Sequence, residues 1–226
     1  MRCHGVTSAF VAVLLAGAPT PPAAAQVPVL LVPGWFDTGR DLAALRIRLL
    51  SGGWAVGDVV ALTFEKPTGS NEDHAEEIAD AVRALRESSG APKIDIVAHS
   101  MGGLAVRAYL RGAGANTVRR VAFLGTPHRG TYSAYLAFGD GREEMIPGSE
   151  FLTSLNAEAP VPDGVEAMTV RTPIDALVLP IESAMLDGVP NHQVCCPTHA
   201  GLLRSLDVYR VVRLFLAEGN DSGGAP

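Results

Sequence analysis

The 226-residue sequence predicts an α/β fold: a compact, mostly parallel sheet of about six strands flanked by helices on both faces. Three observations carry that expectation. Short apolar runs alternate with amphipathic segments along the chain. The runs are continuous and rich in β-branched residues, as strands buried on both faces of a parallel sheet should be. Apolar residues make up 47% of the chain, enough for one domain with a sizeable core.

In chain order, residues 29–32 (Val-Leu-Leu-Val) read as the first strand. Residues 41–50 follow as a helix, with Leu42, Leu45 and Leu49 on one face. Residues 59–64 are a second strand. Residues 72–89 are a helix striped by Ala75, Ile78, Ala79, Val82 and Leu85, and Ser70, three residues before Asp73, is its N-terminal cap. Residues 94–98 are a third strand, followed by a helix over 101–112. Residues 120–124, 167–171 and 192–195 supply the remaining strands. A closing helix spans 202–216, with Leu202, Leu206, Tyr209, Val212 and Leu216 on one face. The stretch 125–164 lacks a clear strand, and its 145–156 portion reads as helical. Its Tyr132, Tyr135, Phe138 and Phe151 either shape a substrate cleft or pack into the core.

The most informative segment is 94–103, Ile-Asp-Ile-Val-Ala-His-Ser-Met-Gly-Gly. It reads as a buried strand, a sharp turn with Ser100 at its apex, and a helix start. Such a turn lifts the serine Oγ clear of the backbone as a nucleophile. It also aims the N–H of Met101 at the place where an oxyanion would form. The usual pattern is Gly-x-Ser-x-Gly; Ala98 takes the first position and is still small enough.

A nucleophilic serine needs a base, and the base needs an orienting acid. At this kind of elbow they follow the serine in the order acid, then histidine. His74 precedes the serine, His99 adjoins it with its side chain expected to point elsewhere, and His128 comes before any well-placed aspartate. Between His192 and His199, the second lies just after the last strand, on the carboxyl edge where open α/β sheets place their sites. For the acid, Asp175 follows the strand 167–171 at that same edge. Asp187, in a turn, is the rival, and Asp163 lies at the wrong end of its strand. The loop after the first strand, Pro33-Gly34-Trp35-Phe36-Asp37, should bring a second oxyanion donor, the N–H of Trp35. Gly34, Trp35 and Phe36 would line the substrate site, the two aromatics suiting an acyl chain.

The ends of the chain read differently. Arg2 and His4 precede an apolar stretch, residues 6–18, too short to cross a bilayer. Ala23-Ala24-Ala25 supplies a small-residue cleavage pattern. Residues 1–25 therefore read as a secretory signal peptide, 26–218 as the folded domain, and 219–226 as a disordered tail. Secretion of a chain with no transmembrane segment is expected. The net charge of −6, with no long basic run, argues against nucleic acid and anionic membranes as electrostatic partners. Cys195 and Cys196 remain after cleavage. A trans peptide holds neighbouring Cα atoms about 3.8 Å apart, short of the disulfide range, so two free, buried thiols are expected. No obligate partner is called for, and a monomer is expected.

These motifs together resemble the small secreted bacterial lipases, the class 2 type, which are minimal α/β-hydrolases without a lid. Val-Pro-Gly-Trp at 32–35 is similar to their oxyanion loop, with Pro33 where they usually carry histidine. The elbow at 94–103 matches theirs, alanine included. Ile174-Asp175-Ala176-Leu177-Val178 and Thr198-His199-Ala200-Gly201-Leu202-Leu203 are similar to their acid and histidine segments. The resemblance covers most of 27–217. It implies an α/β-hydrolase fold, a Ser100–His199–Asp175 triad, oxyanion donors at Trp35 and Met101, and hydrolysis of carboxylic esters, triacylglycerols foremost, at a lipid–water interface. It implies no cofactor and no metal. The segment 126–165 is longer than the minimal form, which leaves room for a small cap, and Gly125-Thr126-Pro127-His128-Arg129-Gly130 resembles a stretch of larger lipases. A polyester depolymerase or an acyltransferase would use the same triad, and a lipid-binding protein would use the fold without it.

Overall fold

The computed structural model describes residues 26–112 and 114–218. The signal-peptide and tail expectations, 1–25 and 219–226, lie outside them. Strands β1 (Val29–Val32), β2 (Val59–Ala61), β3 (Ile94–His99), β4 (Val118–Leu124), β5 (Glu166–Arg171) and β6 (Asn191–Gln193) form one six-stranded sheet in the order β2-β1-β3-β4-β5-β6. Every neighbouring pair is parallel. The chain steps outward from β1 to β2 and then crosses back to β3 on the other side of β1. Strand order therefore reverses between β1 and β3, and in open α/β sheets ligands bind in the crevice at such a reversal, outside the strands' carboxyl ends. The loops after Val32 and His99 open there.

The central strands are covered on both faces, so their side chains alternate between two cores. Leu30, Val32, Ile96 and Ala98 meet Ile78, Val82 and Leu85 of α2 (Asn71–Ser89) and Val106 and Tyr109 of α3 (Gly102–Arg111). Val29, Leu31 and Val97 point the other way. They meet Leu45 and Leu49 of α1 (Ala43–Ser51) and Val208, Val212 and Leu216 of α6 (Leu206–Ala217). Each Val, Leu or Ile among them stabilises the fold by about 1.5–3 kcal/mol on full burial. Ser70 caps α2 as the spacing predicts, its Oγ accepting the Asp73 N–H at 3.1 Å.

Four expectations change. β2 stops at Ala61, after which Leu62 makes a last ladder bond to Leu31; Phe64 turns inward to stack on His74 at 3.8 Å. The closing helix is broken: residues Ala200–Arg204 form a 3-10 turn, and Ser205 then caps α6 by accepting the Val208 N–H. The apolar spacing runs through both pieces and hides the cap. The stretch 125–164 carries a 3-10 turn (Tyr132–Leu136) and two short helices, α4 (Asp140–Met145) and α5 (Glu150–Asn156), parted at Pro147-Gly148 where Gly148 has φ 82°.

The fourth is the cysteine pair. Cys195 and Cys196 are exposed and joined in a disulfide, rather than buried as free thiols. The peptide bond between them is cis, with Cα atoms 3.0 Å apart. They also follow the short edge strand β6 in a surface loop, so the core that would have buried them is absent.

Candidate active site

The elbow forms at the carboxyl end of β3. Ser100 has φ 52°, a left-handed conformation rare for a residue with a side chain. Its N–H donates to Leu124 O of β4 at 2.9 Å, and its own carbonyl accepts the Gly103 N–H at 3.0 Å. Two glycines make this approach feasible. A Cβ on Gly102 would strike the carbonyl of Pro33, and one on Gly103 would strike the Thr126 side chain. The helix α3 thus begins tight against the loops after β1 and β4, and its N-terminus faces the crevice.

The loop after β1 folds as a turn, with Asp37 N–H donating to Gly34 O at 3.2 Å and Phe36 at φ 63°. Phe36 N–H is taken by Pro67 O. Among the described residues, the N–H groups of Trp35 and Met101 make no hydrogen bond. Trp35 lines the same pocket as Ser100, and Met101 follows Ser100 directly in the chain.

His199 and Asp175 come together from the loops after β6 and β5. His199 Nδ1 donates to Asp175 Oδ2 at 2.8 Å, and both side chains are buried. The other carboxylate oxygen accepts the N–H groups of Leu177 and Val178, each at 2.9 Å. Burial alone would raise the Asp175 pKa. The His199 hydrogen bond and charge, with the two backbone donors, outweigh it and hold the carboxyl below its ordinary range. Gly125, at φ 58°, lies under the His199 ring, where a Cβ would come within 3.1 Å of its Cε1. Ser100 Oγ makes no hydrogen bond among the described residues, yet Ser100 and His199 line the same pocket. Such contacts often tighten only when substrate is bound.

That pocket holds about 360 Å³ and is mostly apolar, walled by Trp35, Ala134, Leu136, Met145, Leu177 and Val178. Trp35 and Phe138 meet edge to face at 5.0 Å, and Trp35 Nε1 donates to Phe138 O at 3.0 Å. Thr131 Oγ1 donates to Leu177 O and accepts the Leu179 N–H, tying the 131–138 stretch to the acid loop. Leu136 and Leu177, which line the pocket, and Phe36 and Phe138, which pack on Trp35 beside it, are exposed, as are Tyr132 and Tyr135 of the same stretch. The two readings of that stretch divide: Phe138 packs on Trp35 beside the pocket, whereas Phe151 packs against the buried cluster of Met101, Leu104, Leu152 and Leu155.

The rival residues lie elsewhere. His192 is exposed on the edge strand, Asp187 pairs with Arg129 at 2.7 Å on the surface, and Asp163 is exposed. His74 is buried against Phe64 and bonds Lys66 O. His128 is buried with no ring-nitrogen partner among the described residues, and burial, with Arg107 and Arg129 near, pushes its pKa well down. His99 does not point away: its ring lies beneath the site, against Asp37 and the His199 main chain. The sequence offered one signal for it, a histidine at the end of a wholly buried strand, which needs polar partners. Among the described residues, no cluster of three or more His, Cys, Asp or Glu could hold a metal ion. None of their helices is long and apolar enough to cross a membrane.

The family described as lipase (class 2) matches residues 26–145, just over half of the chain. A triacylglycerol lipase of Pseudarthrobacter phenanthrenivorans is 29% identical over 126 residues, covering 48% of this chain and 35% of its own length. A triacylglycerol lipase of Burkholderia plantarii is 29% identical over 126 residues, 48% of this chain and 32% of its own. The match thus spans about a third of the length of these curated relatives. Lipase BlEst2 of Bacillus licheniformis, in mature form, aligns with TM-score 0.71 over 87% of this chain and 93% of that one, at 17% identity. Lipase B of Aspergillus fumigatus aligns with TM-score 0.69 over 81% and 51%, at 22% identity. At these identities the two structures speak to the fold alone, which is that of the α/β-hydrolases.

Proposed function

Because the chain belongs to the lipase (class 2) family, we propose that it is an exported serine hydrolase of carboxylic esters, triacylglycerols foremost. One observation carries the reading: His199, closed on Asp175 at 2.8 Å, shares a pocket with a serine on a left-handed elbow. His199 Nε2 takes the Ser100 proton as Oγ attacks the ester carbonyl. The negative charge that develops on the carbonyl oxygen is received by the N–H groups of Trp35 and Met101. Asp175 accepts from Nδ1, which fixes the tautomer and stabilises the imidazolium. The intermediate collapses, His199 returns the proton to the departing alcohol, and an acyl group stays on Ser100. Water, deprotonated by the same histidine, then releases the carboxylic acid.

The apolar wall suits an acyl chain, and the exposed aromatic and aliphatic mouth suits contact with a lipid–water interface. The names of the two curated relatives support triacylglycerol as substrate. Export rests on residues 6–18 and the Ala23-Ala24-Ala25 site. The test is the initial rate on p-nitrophenyl esters of increasing chain length and on emulsified triolein, for wild type and Ser100→Ala. Activity reaching long chains and triolein, and lost in the variant, is the expected result. Full activity in Ser100→Ala would overturn the reading.

A further inference from the structure

His99 is the last residue of β3 and is buried at 2% exposure, directly before the nucleophile. Its Nδ1 donates to Asp37 Oδ2 at 3.0 Å. Its Nε2 lies 3.3 Å from the main-chain carbonyl of His199, and the two imidazole rings tilt at 42° with centroids 4.7 Å apart. Above it Gly34 leaves no slack, since a Cβ there would stand 3.1 Å from Nδ1. The side chain of the residue that directly precedes Ser100 therefore touches both the oxyanion turn and the base loop.

Asp37 has a matching position. Its N–H closes the turn that presents Trp35, and its carboxylate reaches down to His99. Phe36, inside that turn, holds a left-handed φ that favours glycine, so the turn needs an external hold. Phe36 N–H on Pro67 O fixes one side, and the Asp37 carboxylate on His99 fixes the other. A carboxylate only accepts, so Nδ1 of the neutral ring donates to it and fixes the ring's rotation; Nε2, then without a proton, packs against the His199 main chain without a hydrogen bond.

We infer that His99, anchored on Asp37, is a positioning residue that holds the Trp35 N–H and the His199 ring in register with Ser100. The inference rests on the hydrolase reading above. His99 and Asp37 line the floor of the pocket that Ser100 and His199 share, and their contacts run to the catalytic loops, so they govern the rate of the bound complex more than its formation.

The test is steady-state kinetics on a soluble short-chain p-nitrophenyl ester, with thermal melting in parallel. His99→Phe keeps the ring's bulk and loses the hydrogen bond to Asp37. Asp37→Ala removes the anchor from a partly exposed position, so its folding is the less demanding. Each should lower kcat about 10- to 100-fold, as misplacement on the ångström scale does, while KM stays within about twofold. The double variant should lose no more than the worse single, because the pair acts as one unit. His99→Asn, whose amide N–H takes the Nδ1 place, should recover part of kcat. Wild-type kcat in either single variant, a loss carried in KM, or additive losses would overturn the inference. Ser100→Ala separates this failure from a failure of the hydrolase reading. If it is inactive while both single variants match wild type, the positioning role alone is wrong. If it is active, the hydrolase reading is wrong.

Discussion

Gly34 sits where the loop after β1 crosses the nucleophile, and a methyl group there has no free volume. An ideal Cβ would stand 2.8 Å from Ser100 Cβ, 3.0 Å from Asp37 Oδ2 and 3.1 Å from His99 Nδ1. Carbon–carbon contacts relax at about 3.5–4.0 Å, so loop and elbow must part by about 1 Å. Ser100 Cβ branches directly from the backbone and cannot swing aside; the loop must move. That loop carries the Trp35 N–H, and a displacement of about 1 Å takes a donor out of the window, roughly 2.7–3.1 Å, in which it serves an oxyanion. Losing one such donor costs about 2.7–4 kcal/mol of transition-state stabilisation, a factor of about 10² to 10³ in kcat. Gly34→Ala should therefore lower kcat for p-nitrophenyl butyrate by about 100-fold with a native circular-dichroism spectrum. Initial rates against substrate concentration, with Tm measured in parallel, supply the check. A Gly34→Ala protein with wild-type kcat would refute the argument that this loop approaches Ser100 to present a donor.

Three further outcomes follow from other parts of the fold. Asp95, wholly buried at the amino end of β3, is gripped by Arg119 through bonds of 2.9 and 2.6 Å. Arg119→Met strands that carboxylate at a cost of about 3–5 kcal/mol, so Tm should fall by about 10 °C with kcat retained; an unchanged Tm contradicts this. Leu136 is 92% exposed at the pocket mouth. Leu136→Glu should leave stability within about 0.5 kcal/mol yet depress activity on emulsified triolein severalfold more than on a soluble butyrate ester, and equal losses on both would count against an interfacial mouth. The Asp175 carboxyl titrates below its ordinary value of 3.8, chiefly because the His199 hydrogen bond overcomes the opposing effect of burial. A depressed folded pKa stabilises the protein above pH 3.8 and ceases to as pH falls through it. In urea unfolding, wild type should exceed Asp175→Asn near pH 6, with the gap closing below pH 3.8; a gap that widens on acidification contradicts the assignment.

Much of this was legible in the sequence because the informative residues are punctuated by strands. Ser100 and Asp175 each follow an apolar run and His199 follows the short polar edge strand β6, and a parallel sheet delivers the carboxyl ends of all three strands to one edge. The elbow glycines announce a close approach, though not its partners, Pro33 and Thr126. What stayed hidden depends on contacts distant in sequence. Nothing local links His99 to Asp37, 62 residues away, or Thr131 to Leu177, 46 residues away. The break at Ser205 was masked because leucines fit a helical face on both sides of it. The exposure of the cysteine pair follows from the loop after the edge strand β6, a placement that adjacency in the chain does not reveal.

The most direct test of the central claim is covalent labelling with a fluorophosphonate, located by peptide mass spectrometry. The reagent requires a serine activated by a base and an oxyanion site, whatever the natural ester. The account predicts stoichiometric labelling of Ser100 in the wild-type protein and a rate at least about 100-fold lower in His199→Ala. An unlabelled wild-type protein, or a label on another serine, would contradict it.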